Sequence, residues 1–401
     1  MNSNGVFDAR NDAFFAKALA RSVRYAAAGG GMRGALRRSV LLWQTFRFHK
    51  WQAARRTAAA LEGRSVPGIL IASVTRRCNL DCAGCYSKAL RPAARAAGKP
   101  AEPASQPAAE LSDERFLELF REAISLGTGT IMIAGGEPLL RRNLIEGAAR
   151  LKGPLIPVFT NGTLVDEAYL DLFASSHLVP VFSVEGDAAF TAERRGDGVH
   201  EAALAAAAAL KRRGALFGLS VTLTSANADA VLSERFLREV ESMGASVLFL
   251  VEYVPVTGKA ELVLSDAQKA ELGRPGRFDP YAFMTVSLPG DEEAFGGCLA
   301  AGRGFIHVAD DGALEACPFA PFSDTDVASR PLAEALESPL MREIRSRHAE
   351  LTETKGGCAL WNKRGWVASL GACSAGARGS AGAGDSAGAG TAAIVASALP
   401  A

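Results

Sequence analysis

Residues 68–85 read GILIASVTRRCNLDCAGC, a short apolar run that passes into a loop holding Cys78, Cys82 and Cys85. A run this short, rich in β-branched side chains, fits a strand buried on both faces in a parallel sheet covered by helices. The same unit recurs along the chain. Apolar runs at TIMIA, PVFTN, VPVFSVEG, GLSVTLT and SVLFLVEYV alternate with helical stretches over 111–126, 144–151, 167–175, 199–213 and 231–243. Six strand candidates separated by helices predict a parallel α/β sheet, open or closed into a barrel, whose ligands gather at the carboxyl ends of the strands. The cysteine loop follows such an end.

The chain of 401 residues is 48% apolar and carries 44 Lys+Arg against 43 Asp+Glu. It is long and apolar enough for one large core or two smaller ones, which excludes a collagen, a disordered tail protein and a small disulfide scaffold. Its balanced charge argues against gripping nucleic acid with the whole surface, and no specific nucleic-acid partner is expected. No stretch approaches the roughly 20 apolar residues of a bilayer span, and the start lacks a signal-peptide run, so a cytoplasmic location is expected. Arg37-Arg38 has the look of an export signal, but Arg47, His49 and Lys50 fall where its apolar core belongs.

Seven cysteines in clusters favour metal or cluster ligation over disulfides. The loop spaces three of them C-x3-C-x2-C, so three thiolates on a tight arc can hold three irons of a cubane and leave the fourth iron open. Gly84 relaxes the backbone there. A structural zinc site would need a fourth ligand, and none lies nearby in sequence. Three unrelated buried cysteines, or zinc completed from afar, are the alternatives.

The loop resembles that of the radical S-adenosylmethionine (radical SAM) enzymes, which carry C-x3-C-x2-C after the first strand of a partial (β/α)6 TIM-like barrel. The resemblance covers roughly residues 68–258. It implies a [4Fe-4S] cluster on Cys78, Cys82 and Cys85 that binds S-adenosylmethionine. It further implies reductive cleavage to a 5′-deoxyadenosyl radical, and hydrogen abstraction from a peptide, a protein or a cofactor precursor. The family usually places a bulky residue just before the third cysteine; here Gly84 stands there and Tyr86 follows.

Further residues extend the likeness. Gly135-Gly136-Glu137-Pro138 follows the second strand, where paired glycines allow close backbone approach and Glu137 offers an acceptor for an ammonium group. The family's GGEP motif binds the SAM amino group. Ser183 and Glu185 end the fourth strand on one face and could bond ribose hydroxyls. Arg194 or Arg195, with Arg195 preferred, would hold the SAM carboxylate; a solvated surface pair is the bland alternative. Thr222 and Val254-Pro255 match positions that line the adenine in the family.

Beyond residue 258 the strand and helix rhythm stops, and Gly-rich segments with Cys298, Cys317, Cys358 and Cys373 follow. Cys298, Gly312 and Cys317 resemble the opening of SPASM and Twitch extensions, implying a second, auxiliary [4Fe-4S] cluster; a four-thiolate zinc hairpin is the alternative. The DDG turn reads as a hairpin that brings Cys298 and Cys317 together. His307, Asp310 and Asp311 are possible proton-transfer groups near it, with turn chemistry preferred for the aspartates.

The expected organisation is a basic helical extension over 1–65, a barrel over 66–258, a small Cys-rich Twitch-like module over 259–373 and a disordered Ala/Gly/Ser tail over 374–401. A surface insertion is expected over 91–110. Residues 1–65 hold 12 Lys+Arg and 3 Asp+Glu. This arm could contact a membrane peripherally or meet an acidic partner, but the preferred expectation packs Trp43, Phe46 and Trp51 on the main domain. Other expected partners are an electron donor such as flavodoxin or ferredoxin, and a peptide or protein substrate. A zinc- or cluster-stabilised binding protein without SAM chemistry is the competing class.

Overall fold

Apolar runs buried over most of their length on both faces build an open sheet with helices on its outer face. The computed structural model describes residues 32–90, 109–289, 296–352 and 358–377. Strands β1 (Ile69–Ser73), β2 (Thr130–Ala134), β3 (Ile156–Thr160), β4 (Leu178–Val184), β5 (Gly218–Leu223) and β6 (Val247–Glu252) lie side by side in chain order. All five pairings between them are parallel, beginning with Ile69 opposite Thr130. The expected half-barrel of β/α units is therefore present.

Two faces follow from the period of two. Leu70, Ala72, Ile131, Ile133 and Val158 pack outward with the buried Phe116, Leu119 and Phe120 of the helix that covers them. Met132, Val181, Val247 and Phe249 form a smaller cluster on the other face, with Ile69, Ile71 and Phe159 against it. The helices carry their own stop and start signals. Ser112 caps the helix Asp113–Leu126 and Gly127 ends it, while Ser233 and the left-handed Gly244 bracket the helix Glu234–Met243.

The sheet does not end at residue 258. Strand β7 (Met284–Leu288) adds to β6 and β8 (Phe305–Val308) adds to β1 on the opposite side, both parallel. The short β9 (Leu314–Glu315) then turns back antiparallel on β8, which is the expected hairpin. The order becomes β7-β6-β5-β4-β3-β2-β1-β8-β9. These added strands escaped the periodicity because MTVSL alternates with polar residues and FIHV is only 4 residues long.

The basic arm forms a helix of 30 residues, Met32–Leu61. It lies across the amino ends of the strands. Gln52 donates Nε2 to the carbonyls of Ile124 and Thr128, both at 2.8 Å, and Arg56 Nη1 reaches that of Gly127 at 2.6 Å. These donors satisfy carbonyls at the end of the helix Asp113–Leu126 and in the turn just beyond it. His49 meets Thr130 Oγ1 at 3.3 Å, and Phe48 fills the space beside Gly153. The aromatic-packing expectation is corrected for Trp43 and Trp51, which stay 48% and 55% exposed while Phe46 is half-buried, because the inner side of the helix meets backbone carbonyls that call for polar donors. Residues 1–31, most of the insertion (91–108) and most of the tail (378–401) lie outside the described residues.

Candidate active site

Three thiols and a buried carboxylate converge at the carboxyl ends of β1 and β4. Cys78, Cys82 and Cys85 are all free and half-buried. Burial raises the Cys78 thiol, with the nearby Glu137, Cys82 and Cys85 adding to the rise. Burial also raises Cys82, whereas Arg195 and Arg194 pull it back.

The loop is held from several sides. The amide of Ala83 donates to the carbonyl of Arg194 at 2.8 Å, and the amide of Leu80 points at the Cys78 sulfur at 3.5 Å. Asn161 Nδ2 donates to Asn79 Oδ1 at 2.9 Å, and Asn79 Nδ2 donates to Thr163 Oγ1 at 2.8 Å. On the approach to the loop, Arg76 Nε meets Asp310 Oδ2 at 2.6 Å, and Glu110 accepts from Thr75 Oγ1 at 2.7 Å.

Gly135 and Gly136 serve this loop directly. The amide of Gly136 donates to the carbonyl of Thr75 at 2.6 Å, and that of Glu137 to Arg77 at 2.8 Å. A Cβ at Gly136 would overlap the carbonyl of Arg77, and one at Gly135 that of Thr75. Glu137 is buried and accepts from Leu139 N at 3.0 Å, Thr160 Oγ1 at 2.8 Å and Asn161 N at 2.9 Å. Burial raises its carboxyl, and these donors counter the rise.

Glu185 is 2% exposed at the end of β4. Its Oε1 takes Arg194 Nη1 at 2.6 Å and Arg195 Nε at 2.8 Å. Among the described residues, its Oε2 is buried without a hydrogen-bond partner. The two arginines are therefore not a solvated surface pair. Ser183 lies half-buried two residues earlier, opposite Ser220 of β5. An unsatisfied buried acceptor beside three thiols and two guanidiniums fits a polar cofactor with hydroxyl donors and a carboxylate.

Asn227 is a residue that the sequence reading missed. Its Nδ2 bridges the carbonyls of Glu185 and Thr222 at 3.0 Å each, tying the ends of β4 and β5 together. An Asn at a helix start is common enough that no sequence signal marks it. The sequence points to His307 as a proton-transfer candidate near the second cysteine group. It stands on β8, where Nε2 meets Ser73 Oγ at 2.8 Å and Nδ1 meets Glu315 Oε2 at 2.7 Å, all three groups buried. Asp310 is the ion-pair partner of Arg76, while Asp311 accepts from Ala313 N at 3.2 Å as a turn residue does.

Cys298, Cys317 and Cys358 are buried together in the C-terminal part. The Cys317 thiol is pushed well up, first by a hydrogen bond with Cys358, then by burial and by the charges of Cys358 and Cys298. Cys373 falls in the helix Arg364–Ala377, but its side chain lies outside those described. Among the described residues, no three Cys, His, Asp or Glu side chains are grouped as around a single metal ion. A four-iron cube spreads its thiolates more widely than one ion does.

Residues 72–229 match the family described as the Radical SAM superfamily. The chain is 27% identical over 330 residues to Fe-coproporphyrin III synthase of Methanosarcina barkeri, covering 73% of this chain and 79% of that one. It is 23% identical over 326 residues to AdoMet-dependent heme synthase of the same organism, covering 74% and 88%. In fold it is similar to SuiB of Streptococcus suis. The structure with S-adenosylmethionine gives a TM-score of 0.57 at 17% identity, covering 77% of this chain and 75% of that one. The structure with precursor peptide SuiA gives 0.54 at 17% identity, covering 80% and 75%. With the cysteine loop at the end of β1 and the half-barrel around it, residues 72–229 are a radical SAM domain, and the protein is an enzyme.

Proposed function

We propose that the protein holds a [4Fe-4S] cluster on Cys78, Cys82 and Cys85, cleaves S-adenosylmethionine there and abstracts a hydrogen atom from a cofactor precursor of the tetrapyrrole class. The observation that carries the cofactor reading is the buried, unpartnered Oε2 of Glu185 beside those thiols and Arg194 and Arg195. Relatives named for coproporphyrin and heme synthesis, aligned over most of their length, support the substrate class.

When bound, the cluster supplies the electron that splits the sulfonium of SAM. The chain's own residues would do the rest. Gly135 and Gly136 keep the β2 end pressed on the loop, and Glu137 holds the β3 end in place while presenting a buried acceptor toward the amino group. Ser183 and Glu185 would take ribose hydroxyls, and Arg195 or Arg194 the carboxylate. Cys298, Cys317 and Cys358, with Cys373 as fourth ligand, would hold an auxiliary [4Fe-4S] cluster as in a Twitch module. Flavodoxin or ferredoxin would deliver the electron.

A peptide substrate is the second reading, because the shared SuiB fold is recorded with a precursor peptide bound. Anaerobic reconstitution with SAM and dithionite tests the scheme. Release of 5′-deoxyadenosine, and deuterium transfer from a labelled coproporphyrin into it, is expected; transfer from peptides alone moves the substrate class. A colourless protein holding zinc and no iron overturns the cluster and leaves the zinc-stabilised binding class.

A further inference from the structure

The helix Met32–Leu61 is turned inside out. At 100° per residue, its buried residues Leu42, Thr45, His49, Gln52, Arg56 and Ala59 share one side, and most of them are polar. On the opposite side, Leu36, Val40, Trp43, Trp51 and Leu61 are exposed and fall within an arc of about 80°. A large apolar stripe that faces away from the core calls for a covering surface.

Charge says which surface. The helix carries seven Lys+Arg and no Asp or Glu. The Arg47 guanidinium stands 4.7 Å over the Trp43 ring and that of Arg55 4.6 Å over Trp51, so cations flank the aromatics along the stripe. Indole rings beside guanidiniums match the headgroup layer of a bilayer, where the ring meets acyl chains and the cation meets phosphate. The stripe runs about 38 Å along one helix from Leu36 to Leu61, which suits a plane better than a pocketed protein partner. No helix among the described residues is long and apolar enough to cross a membrane, so the contact is with the surface.

We propose that the outer face of this helix docks the enzyme on an anionic phospholipid surface. The inference is independent of the reaction proposed above. Because the helix lies at the amino ends of the strands, docking leaves the carboxyl-end site pointing away from the lipid and open to its substrate.

The test is flotation of the full-length protein with vesicles of phosphatidylcholine alone or with about 30% phosphatidylglycerol, at low and high salt. Binding to the anionic vesicles only, weakened by salt, is expected, and Trp43→Ser/Trp51→Ser should weaken it by about tenfold or more. Both tryptophans are exposed, so thermal unfolding of the variant should match the parent. Quenching of the parent's fluorescence by brominated lipid gives a readout without any substitution. Absence of binding to anionic vesicles, equal binding by the double variant, or binding to single-stranded nucleic acid in place of vesicles would each overturn the proposal.

Discussion

The two groups of thiols differ in how they are held. Cys78, Cys82 and Cys85 are half-exposed on a loop clasped from outside by Asn161, Arg194, Gly136 and Glu137. Cys298, Cys317 and Cys358 are buried in the apolar core, where Cys317 hydrogen-bonds Cys358 and is held well above its ordinary value. A loop shaped by its neighbours is organised before any metal arrives and leaves room for a ligand. A buried thiol cluster must lose its protons to bind metal, so its loading couples to the stability of the segment around it. The first arrangement suits exchange of a cofactor, and the second suits a closed site.

The strongest way to break this contrast is to remove one ligand from each group. Cys82→Ala should cut release of 5′-deoxyadenosine by about a thousandfold or more while leaving the melting temperature within a few degrees, read by chromatography and calorimetry. Cys317→Ser should show the reverse pattern: cleavage of SAM persists, and the thermal midpoint and about half of the bound iron are lost. Equal behaviour of the two variants would erase the distinction.

A smaller effect is expected from Glu185→Gln, which leaves Arg194 and Arg195 facing a neutral amide. Stability should fall by about 2–3 kcal/mol, below the cost of a fully buried pair because both arginines retain some exposure. SAM should bind about tenfold more weakly by equilibrium dialysis. Gly136→Ala sharpens the claim that the loop is clasped: its Cβ meets backbone, which cannot swing aside, so a loss of about 1–3 kcal/mol in urea unfolding is expected, together with weaker SAM binding.

The last test belongs to the far end of the sheet and serves as a control, because it leaves the site itself untouched. Burial, and then Arg56, lower His49 to about 3 from an ordinary 6.5. Between those values the unfolded chain binds the extra proton, so this contribution is complete above pH 6.5 and is lost as the pH falls toward 3, by about 1.4 kcal/mol per unit. Urea unfolding at pH 7.5, 6.0 and 5.0 should show that slope in the parent and a shallower one in His49→Gln, with SAM binding at pH 7.5 unchanged.

Much of the site was legible in the chain. Cys78, Cys82 and Cys85 stand at the end of an obvious strand, and the run Gly135 to Glu137 ends the next one, because strand ends in a parallel sheet are where a short motif must fall. The reason for the two glycines was not legible, since the carbonyls they avoid belong to residues about 60 positions earlier. Neither was the clamp of two arginines on Glu185, nor the Ser73, His307 and Glu315 chain, whose members come from three different strands. The helix Met32–Leu61 is basic and aromatic in sequence, but which side faces the core depends on the polar carbonyl ends it meets.

Local pattern alone determined the strand and helix alternation and the three-cysteine loop, because each depends on residues near one another in the chain. Only the folded chain decided that β7 and β8 extend the sheet at both sides, that Glu185 keeps one buried oxygen unpaired, and that Trp43 and Trp51 point outward. Those outcomes depend on pairings across long sequence separations, where packing and the hydrogen-bond needs of distant groups select among faces that the local pattern leaves equivalent.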